Sequence, residues 1–149
     1  MTLEITAKER PFEAGFIDRL HACADHVFQS PSAEREEIAW RLENMPDAVV
    51  HCAHLGSELI GFKIAYATRR RRLYSWLGGV QSQHRRRGVA RALMEAQHQW
   101  AKARGYVNVE TGTIRNNLPM MTLNLQSGFQ IIGTYARAGT TRVLMAKRL

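Results

Sequence analysis

The spacing of apolar and polar residues along the chain predicts an alternation of strands and helices. From Pro11 to Phe28 the apolar residues recur every three or four positions, as in a helix packed on a core. Ala48–Leu55 and Leu59–Thr68 are strand-like segments separated by a Gly-Ser pair, which predicts a β-hairpin. The predicted elements follow the order β-α-α-β-β-β-α-β-α-β-β and are Thr2–Ala7, Pro11–Phe28, a helix capped by Ser32 that runs through Trp40 and Leu42, Ala48–Leu55, Leu59–Thr68, Leu73–Val80, Gly88–Arg104, Tyr106–Ile114, Asn117–Ser127, Phe129–Arg137 and Thr141–Lys147.

Together these elements favour one α/β (α+β) domain over residues 1–149. A chain of this length suits a single hydrophobic core. The run of strands before the clearest helix, Gly88–Arg104, favours antiparallel pairing in the first part of the sheet. We therefore expect a mixed central β-sheet of about seven strands, flanked on both faces by about four helices.

The composition favours a globular protein over a membrane-spanning or disulfide-rich one. Hydrophobic residues make up 45% of the chain and charged residues 23%, which is ordinary for a globular domain. No apolar run approaches the roughly 20 residues that span a membrane. Cys23 and Cys52 are too few and too scattered for a disulfide framework, so they are expected to be buried or semi-buried thiols in a reducing compartment. We therefore expect a cytoplasmic protein with no membrane partner.

The net charge of +8 is concentrated in short basic runs at Arg69–Arg72, Arg85–Arg87 and Lys147–Arg148. Such a charge favours anionic partners, either nucleic acid or a polyphosphate cofactor. The first run lies between two strand-like segments and is interpreted as a solvated turn. The histidines predict no metal site, because residues such as His51 and His54 would point to opposite faces of one strand.

The segment from Val80 to Met94 is the most informative part of the sequence. It reads as the end of a strand, a basic loop, a glycine and the start of a long amphipathic helix. This arrangement directs several backbone N–H groups and the positive end of a helix dipole at one point. A pyrophosphate group fits that point, so the segment predicts a phosphate-bearing cofactor and hence an enzyme.

The element order and this loop resemble the GNAT superfamily of N-acetyltransferases. The acyl-CoA signature of that family, Arg/Gln-x-x-Gly-x-Gly/Ala, stands here as Arg85–Ala90. Val80 lies where the strand of the family ends, and Asn117 precedes Gly128–Phe129 by eleven residues, as in the Asn…Gly-Phe segment of the family. The resemblance implies the GNAT fold and acetyl-CoA as the co-substrate.

The resemblance also implies which residues hold the cofactor. Backbone N–H groups of the basic loop would bind the pyrophosphate, while the arginine side chains would face solvent or the 3′-phosphate. The end of the strand would bind the pantetheine arm in a slot beside Tyr106–Ile114. The Gly-Gly pair there suits a bulge or a close backbone approach rather than a mere break in the strand. The cofactor-binding residues implied are Gly78, Gly79, Val80, Arg85, Arg86, Arg87, Gly88, Val89, Ala90, Asn117 and Asn124.

Three residues are candidates for catalysis. The family places a tyrosine four residues before the Gly-Phe pair, but Asn124 stands here, either as a hydrogen-bond donor to the cofactor or as a helix-surface residue. Glu110 is either a partly buried general base or an ordinary strand glutamate paired with an arginine such as Arg115. Tyr74 either lines the acceptor pocket or packs in the core.

The leading interpretation is an acetyltransferase in which an amine of a small molecule or peptide attacks acetyl-CoA directly in a ternary complex. Backbone N–H groups near Val80 would polarise the thioester carbonyl. Two alternatives stay open: a non-catalytic acyl-CoA-binding regulator, and a basic nucleic-acid-binding module. Nucleic acid is the less favoured partner, because no basic helix with interleaved aromatic residues is present. A homodimer formed through the last strands is also expected.

Overall fold

A computed structural model describes residues 1–29 and 35–149. Over these residues the chain forms strands and helices in the predicted order. The predicted capping residue Ser32 lies outside the described residues. The elements are β1 (Leu3–Glu9), α1 (Phe16–Phe28), α2 (Arg35–Asn44), β2 (Val49–Leu55), β3 (Glu58–Arg69), β4 (Arg72–Val80), a 3-10 turn (Ser82–His84), α3 (Val89–Ala103), β5 (Asn108–Ile114), α4 (Leu118–Gln126), β6 (Gln130–Arg137) and β7 (Thr140–Arg148).

Helix α1 begins later than the apolar spacing predicts. The prediction starts at Pro11, whereas the helix starts at Phe16. Gly15 precedes it in the left-handed conformation, with φ of +77°, and this backbone turn cannot continue a helix in the N-terminal direction. Phe12 nevertheless packs on the core and stacks on Phe16, which accounts for its place in the apolar pattern.

The seven strands of the described residues form one sheet in the order β1-β2-β3-β4-β5-β7-β6. Strands β4 and β5 are parallel, and the other neighbouring pairs are antiparallel. Helices α1 and α2 cover the first face, where Leu20, Leu42 and Phe62 are fully buried. Helices α3 and α4 cover the second face, around buried residues such as Leu73 and Met145. The predicted mixed sheet with helices on both faces is confirmed.

Both cysteines are free, buried thiols, as the sequence predicts. Burial raises the pKa of Cys23 to about 11 and that of Cys52 to about 12. The thiolate form that acts as a nucleophile is therefore scarce at both positions near neutral pH. In the part of the chain that the structure describes, no helix is both long and apolar enough to cross a membrane.

Candidate active site

A cleft opens between β4 and β5, because the two strands pair along only part of their length. Pairing runs from Arg72 opposite Asn108 to Ser75 opposite Thr111. The Thr111 hydroxyl donates to the backbone oxygen of Ser75 at 2.9 Å and closes the vertex of the cleft. Beyond this point both strands continue without pairing to each other. The slot that the resemblance implied is therefore present.

A β-bulge at Trp76 bends β4 where the cleft begins. Ile64 of β3 lies opposite Leu77, whereas Ala65 lies opposite Ser75, so Trp76 is an extra residue on β4. A bulge of this kind bends its strand and increases the local twist. This bend accounts for the separation of β4 from β5 directly after Ser75.

The sequence predicts either a bulge or a close backbone approach at the Gly-Gly pair. The structure shows the close approach there, whereas the bulge lies at Trp76. A β-carbon at Gly78 would lie 2.7 Å from the backbone oxygen of Phe62, and one at Gly79 would lie 2.3 Å from Cγ1 of Val27. The close approach at these positions is therefore that of β3 and α1. This packing explains the two glycines without a cofactor, although both also line the cleft.

Backbone groups of β4 are available along the cleft. The N–H of Gln81 donates to the oxygen of Ile60 in β3 at 2.9 Å. Alternate residues of an antiparallel strand direct their N–H and C=O groups to the same side, so Gly78 and Val80 direct theirs away from β3, toward the cleft. These N–H groups can donate to an extended ligand that lies where β5 would otherwise pair.

The basic loop leads from the end of β4 into α3. Gly88 is the N-cap of α3 with φ of +79°, and no atom lies within 4 Å of a β-carbon placed there. Glycine is therefore required by the backbone conformation and not by crowding. The first N–H groups of α3 have no acceptor within the helix, and they lie at the positive end of the helix dipole. Together with exposed Arg86 and Arg87, they can bind an anionic group such as a pyrophosphate.

Arg85 differs from its two neighbours. Its Nε donates to the backbone oxygen of Val80 at 2.9 Å, and its Nη2 donates to that of Val27 at 3.0 Å. Val27 belongs to the last turn of α1, where carbonyl groups lack partners within the helix. Arg85 is nevertheless exposed, which agrees with the expectation that its side chain faces solvent, and the 3′-phosphate contact stays a prediction. The two hydrogen bonds add a contact that the sequence did not indicate, because they tie the loop to β4 and α1.

The cleft encloses about 180 Å³. Apolar side chains of α3 and α4, including Leu93 and Leu123, form its wall on the second face. Asn117 also lines it, and its Oδ1 accepts from the N–H of Met120 at 3.3 Å, so the side chain caps α4. Among the described residues of the lining, only Lys63 and Arg142 are ionisable.

The three candidates for catalysis lie outside the lining of the cleft. Asn124 is 2% exposed, and its Nδ2 donates to the Thr113 hydroxyl at 3.2 Å, so it is not the helix-surface residue considered above. Oε1 of Glu110 lies 3.3 Å from Nε of Arg72, so this glutamate is paired with an arginine, as one of its two interpretations expected, although the arginine is Arg72 and not Arg115. The hydroxyl of Tyr74 lies on the first face, outside the cleft lining.

An aromatic and cationic cluster lies on the first face, beside the vertex of the cleft. The guanidinium of Arg41 stacks 4.1 Å above the centre of the Trp76 ring and donates to the hydroxyl of Tyr66. The hydroxyls of Tyr74 and Tyr135 lie 3.4 Å apart, and burial, together with this contact, raises the pKa of Tyr74. This cluster provides a surface from which a second substrate can approach the vertex.

Sequence reasoning missed Lys63, Tyr135 and Arg142. Lys63 carried a visible signal, since it is the one charged residue between Leu59 and Ala65 in an otherwise apolar strand. Tyr135 and Arg142 lie opposite each other in the last hairpin, and no local pattern relates them to β4. No group of three or more His, Cys, Asp or Glu side chains suited to a metal ion occurs within residues 1–29 and 35–149.

The profile of the Acetyltransferase (GNAT) family matches residues 15–129, which include the cleft, the loop and helices α3 and α4. The chain belongs to this family. N-acetyltransferase 8F1 of Rattus norvegicus is 35% identical over 88 residues, which cover 54% of this chain and 39% of that protein. The chain thus aligns with well under half the length of this curated relative.

Solved structures share the fold over the whole chain. The ribosomal-protein-S18-alanine N-acetyltransferase of Escherichia coli superposes with a TM-score of 0.83 and 14% identity, over 99% of this chain and 94% of that one. An acetyltransferase of Bacillus subtilis in complex with CoA superposes with a TM-score of 0.77 and 20% identity, over 99% of both chains. At these identities the likeness establishes the GNAT fold.

Proposed function

We propose that this protein transfers an acetyl group from acetyl-CoA to a primary amine. The observation that carries the proposal is the cleft between β4 and β5, which runs from the N-terminus of α3 to the vertex at Ser75. Its shape suits a ligand with an anionic group at one end and a long neutral arm. Family membership supports the same cofactor and reaction.

In this proposal the pyrophosphate binds the backbone N–H groups of residues 86–90, and the pantetheine arm follows β4. The N–H groups of Gly78 and Val80 donate to the amides and the thioester carbonyl. A preorganised N–H donor near that carbonyl stabilises the negative charge that develops on its oxygen during attack. Asn117 belongs to the same lining and lies beside the arm.

The acceptor amine approaches from the first face, beside Trp76 and Tyr135, and attacks the thioester directly in a ternary complex. A covalent acyl-cysteine step is not part of the proposal, because both thiols are buried and their pKa values are raised. Glu110 is held by Arg72 and is not assigned the role of base. The acceptor is an amine of a small molecule or peptide.

Titration calorimetry with acetyl-CoA tests the cofactor site. Gly88→Glu places a carboxylate where the pyrophosphate binds, so we expect it to abolish the micromolar binding of the wild type. Gly88→Ala is the matched control, because it carries the same backbone strain at φ of +79° without the charge. Equal binding by all three proteins, or no binding by the wild type, would contradict the proposed cofactor site.

One observation favours a second candidate function, a non-catalytic acyl-CoA-binding regulator. The described lining of the cleft contains no carboxylate or imidazole that could accept the proton of an attacking amine. Release of free CoA in the presence of an amine panel distinguishes the two, since a regulator binds acetyl-CoA without releasing CoA. A basic nucleic-acid-binding module would instead bind duplex DNA in a strongly salt-dependent manner without binding acetyl-CoA.

A homodimer through the last strands remains part of the proposal. Strand β6 is an edge of the sheet, and Ile131 and Ile132 on it are about half exposed. Unpaired edges with apolar residues favour association. Sedimentation velocity should give a dimer that Ile132→Lys converts to a monomer, and a monomeric wild type would contradict this assignment. The cytoplasmic location remains a prediction.

A further inference from the structure

Lys63 is a charged residue inside the cleft. It lies on β3 directly opposite Gly78 of β4, and it lines the cleft. A β-carbon at Gly78 would lie 3.3 Å from Cγ of Lys63, so the missing side chain leaves room for the lysine beside β4. A lysine side chain is long enough to reach from β3 across this glycine to the open edge of β4.

The ammonium of Lys63 has no anionic partner among residues 1–29 and 35–149. The ionisable groups that interact electrostatically with it are His51 of β2 and His98 of α3. Nδ1 of His98 in turn lies 3.3 Å from Nζ of Lys147 in β7. None of these is an acid, and no carboxylate within the described residues forms an ion pair with Lys63. Lys63 is partly buried, and a cation held partly out of water without a counter-ion is unfavourable, so the site favours a ligand that brings negative charge.

The proposed reaction generates such a charge in the cleft. The amine nitrogen forms a bond to the thioester carbon, the carbon–sulfur bond breaks, and its electron pair stays on the sulfur of CoA. A proton must then reach this thiolate. The position that the family fills with tyrosine is Asn124 here, which is an amide buried outside the cleft. Tyr74 and Tyr135 also lie outside the lining.

We infer that Lys63 donates this proton from Nζ to the CoA sulfur, an inference that rests on the proposed function. The products are the thiol of CoA and a neutral Lys63. Lys63 then accepts the proton that the amine nitrogen loses when it becomes an amide. The described lining has two ionisable side chains, Lys63 and Arg142. Arg142 cannot be the proton donor, because a guanidinium keeps its proton at physiological pH.

The acidity of Lys63 suits this role. Burial lowers the pKa of Lys63 to about 8. The thiol of a cysteine side chain has a pKa of about 8.5, and the alkyl thiol of CoA is no stronger an acid, so proton transfer from Lys63 to its thiolate is not uphill. General acids are most effective when their pKa lies near the operating pH.

Lys63→Met and Lys63→Arg test the inference through the pH dependence of kcat at saturating acetyl-CoA and amine. In the wild type we expect kcat to fall above a pH of about 8, as Lys63 loses its proton. Lys63→Met should lower kcat by about 100-fold or more and remove this decline. Lys63→Arg keeps the charge but cannot release a proton, so it should not restore the rate.

A second readout follows the bound product. The ultraviolet absorbance of the thiolate reports the pKa of CoA in the complex, which Lys63 should lower and Lys63→Met should raise. Lys147→Met is the matched control, because this lysine contacts His98 outside the cleft lining. It should leave the pH profile of kcat and the absorbance unchanged. The melting temperature of Lys63→Met should equal or exceed that of the wild type, since an unpaired and partly buried charge is removed.

Three results would overturn the inference: a wild-type rate and pH profile in Lys63→Met, restoration of the rate by Lys63→Arg, or an unchanged thiol pKa in the complex. Failure of the proposed function has a different signature. In that case the wild type itself would not bind acetyl-CoA, or would bind it without releasing CoA to any amine.

Discussion

Replacement of Arg85 distinguishes a structural tether from a phosphate ligand. Its guanidinium bridges Val80 at the end of β4 and Val27 in the last turn of α1. Arg85→Met keeps much of the aliphatic stem but removes both hydrogen bonds. It thereby frees the cofactor loop from α1 and leaves two carbonyl groups without these donors.

The structure sets the size of this effect. A hydrogen bond to a charged group contributes about 1.5–3 kcal/mol when buried. The outer side of Arg85 is exposed, so solvent screening reduces both contributions, and we expect a combined loss of about 2 kcal/mol in the free energy of unfolding. For a domain of this length, that loss corresponds to a fall in Tm of about 4–8 °C.

Denaturant unfolding and two ligand titrations form the assay. Arg87→Met is the matched control, because it removes the same charge from an exposed neighbour and should change stability by less than about 0.5 kcal/mol. CoA and 3′-dephospho-CoA are titrated against each protein. A displaced loop weakens both ligands by the same factor, since both carry the pyrophosphate.

The opposite pattern would refute the tether. If Arg85→Met left the free energy of unfolding unchanged and weakened CoA but not 3′-dephospho-CoA, the side chain would be a ligand of the 3′-phosphate. The sequence resemblance implied that role, so the experiment separates the local reading of the motif from the contacts of the folded protein.

Two further predictions concern buried polar residues. Asn124→Tyr places the tyrosine of the family at a position that is 2% exposed, where the larger side chain overpacks the core. It should lower the free energy of unfolding in chemical denaturation by about 1–3 kcal/mol and should not raise kcat in a CoA-release assay. A variant that is as stable as the wild type and faster would contradict this. Burial lowers the pKa of His51 to about 4 and that of His98 to about 3, so the unfolded chain takes up protons first as the pH falls. Stability should therefore be full above a pH of about 6.5 and decline toward pH 4, by up to about 1.4 kcal/mol per pH unit for each histidine, and His98→Phe should show a shallower decline in urea titrations.

Much of the fold follows from local patterns. Apolar residues at helical spacing mark α1 and α3, and Gly56–Ser57 marks the turn of the first hairpin. These features act over a few residues, so they are visible without knowledge of the rest of the chain. The boundary of α1 was the clearest exception, because Phe12 joins the core from outside the helix.

The site was predictable where one segment builds it. Gly88 is required by its own backbone conformation, and the turn into α3 makes the phosphate-binding point from consecutive residues. The residues that the structure places elsewhere depend on distant partners. Arg85 contacts Val27, 58 residues earlier, and Asn124 contacts Thr113 of β5. A motif comparison assigned them roles by position alone.

Periodicity, glycine conformation and helix polarity are properties of short segments, so the order of elements and the loop at the N-terminus of α3 could be predicted locally, and the resemblance of its motifs indicated the family. The point where β4 leaves β5, the reason why Gly78 and Gly79 are glycines, and the position of Lys63 in the cleft with no counter-ion among the described residues became visible only in the folded chain. These outcomes depend on strand register and on which side chains from separate elements share one volume. Neither can be read from one segment, because each requires the position of its neighbours.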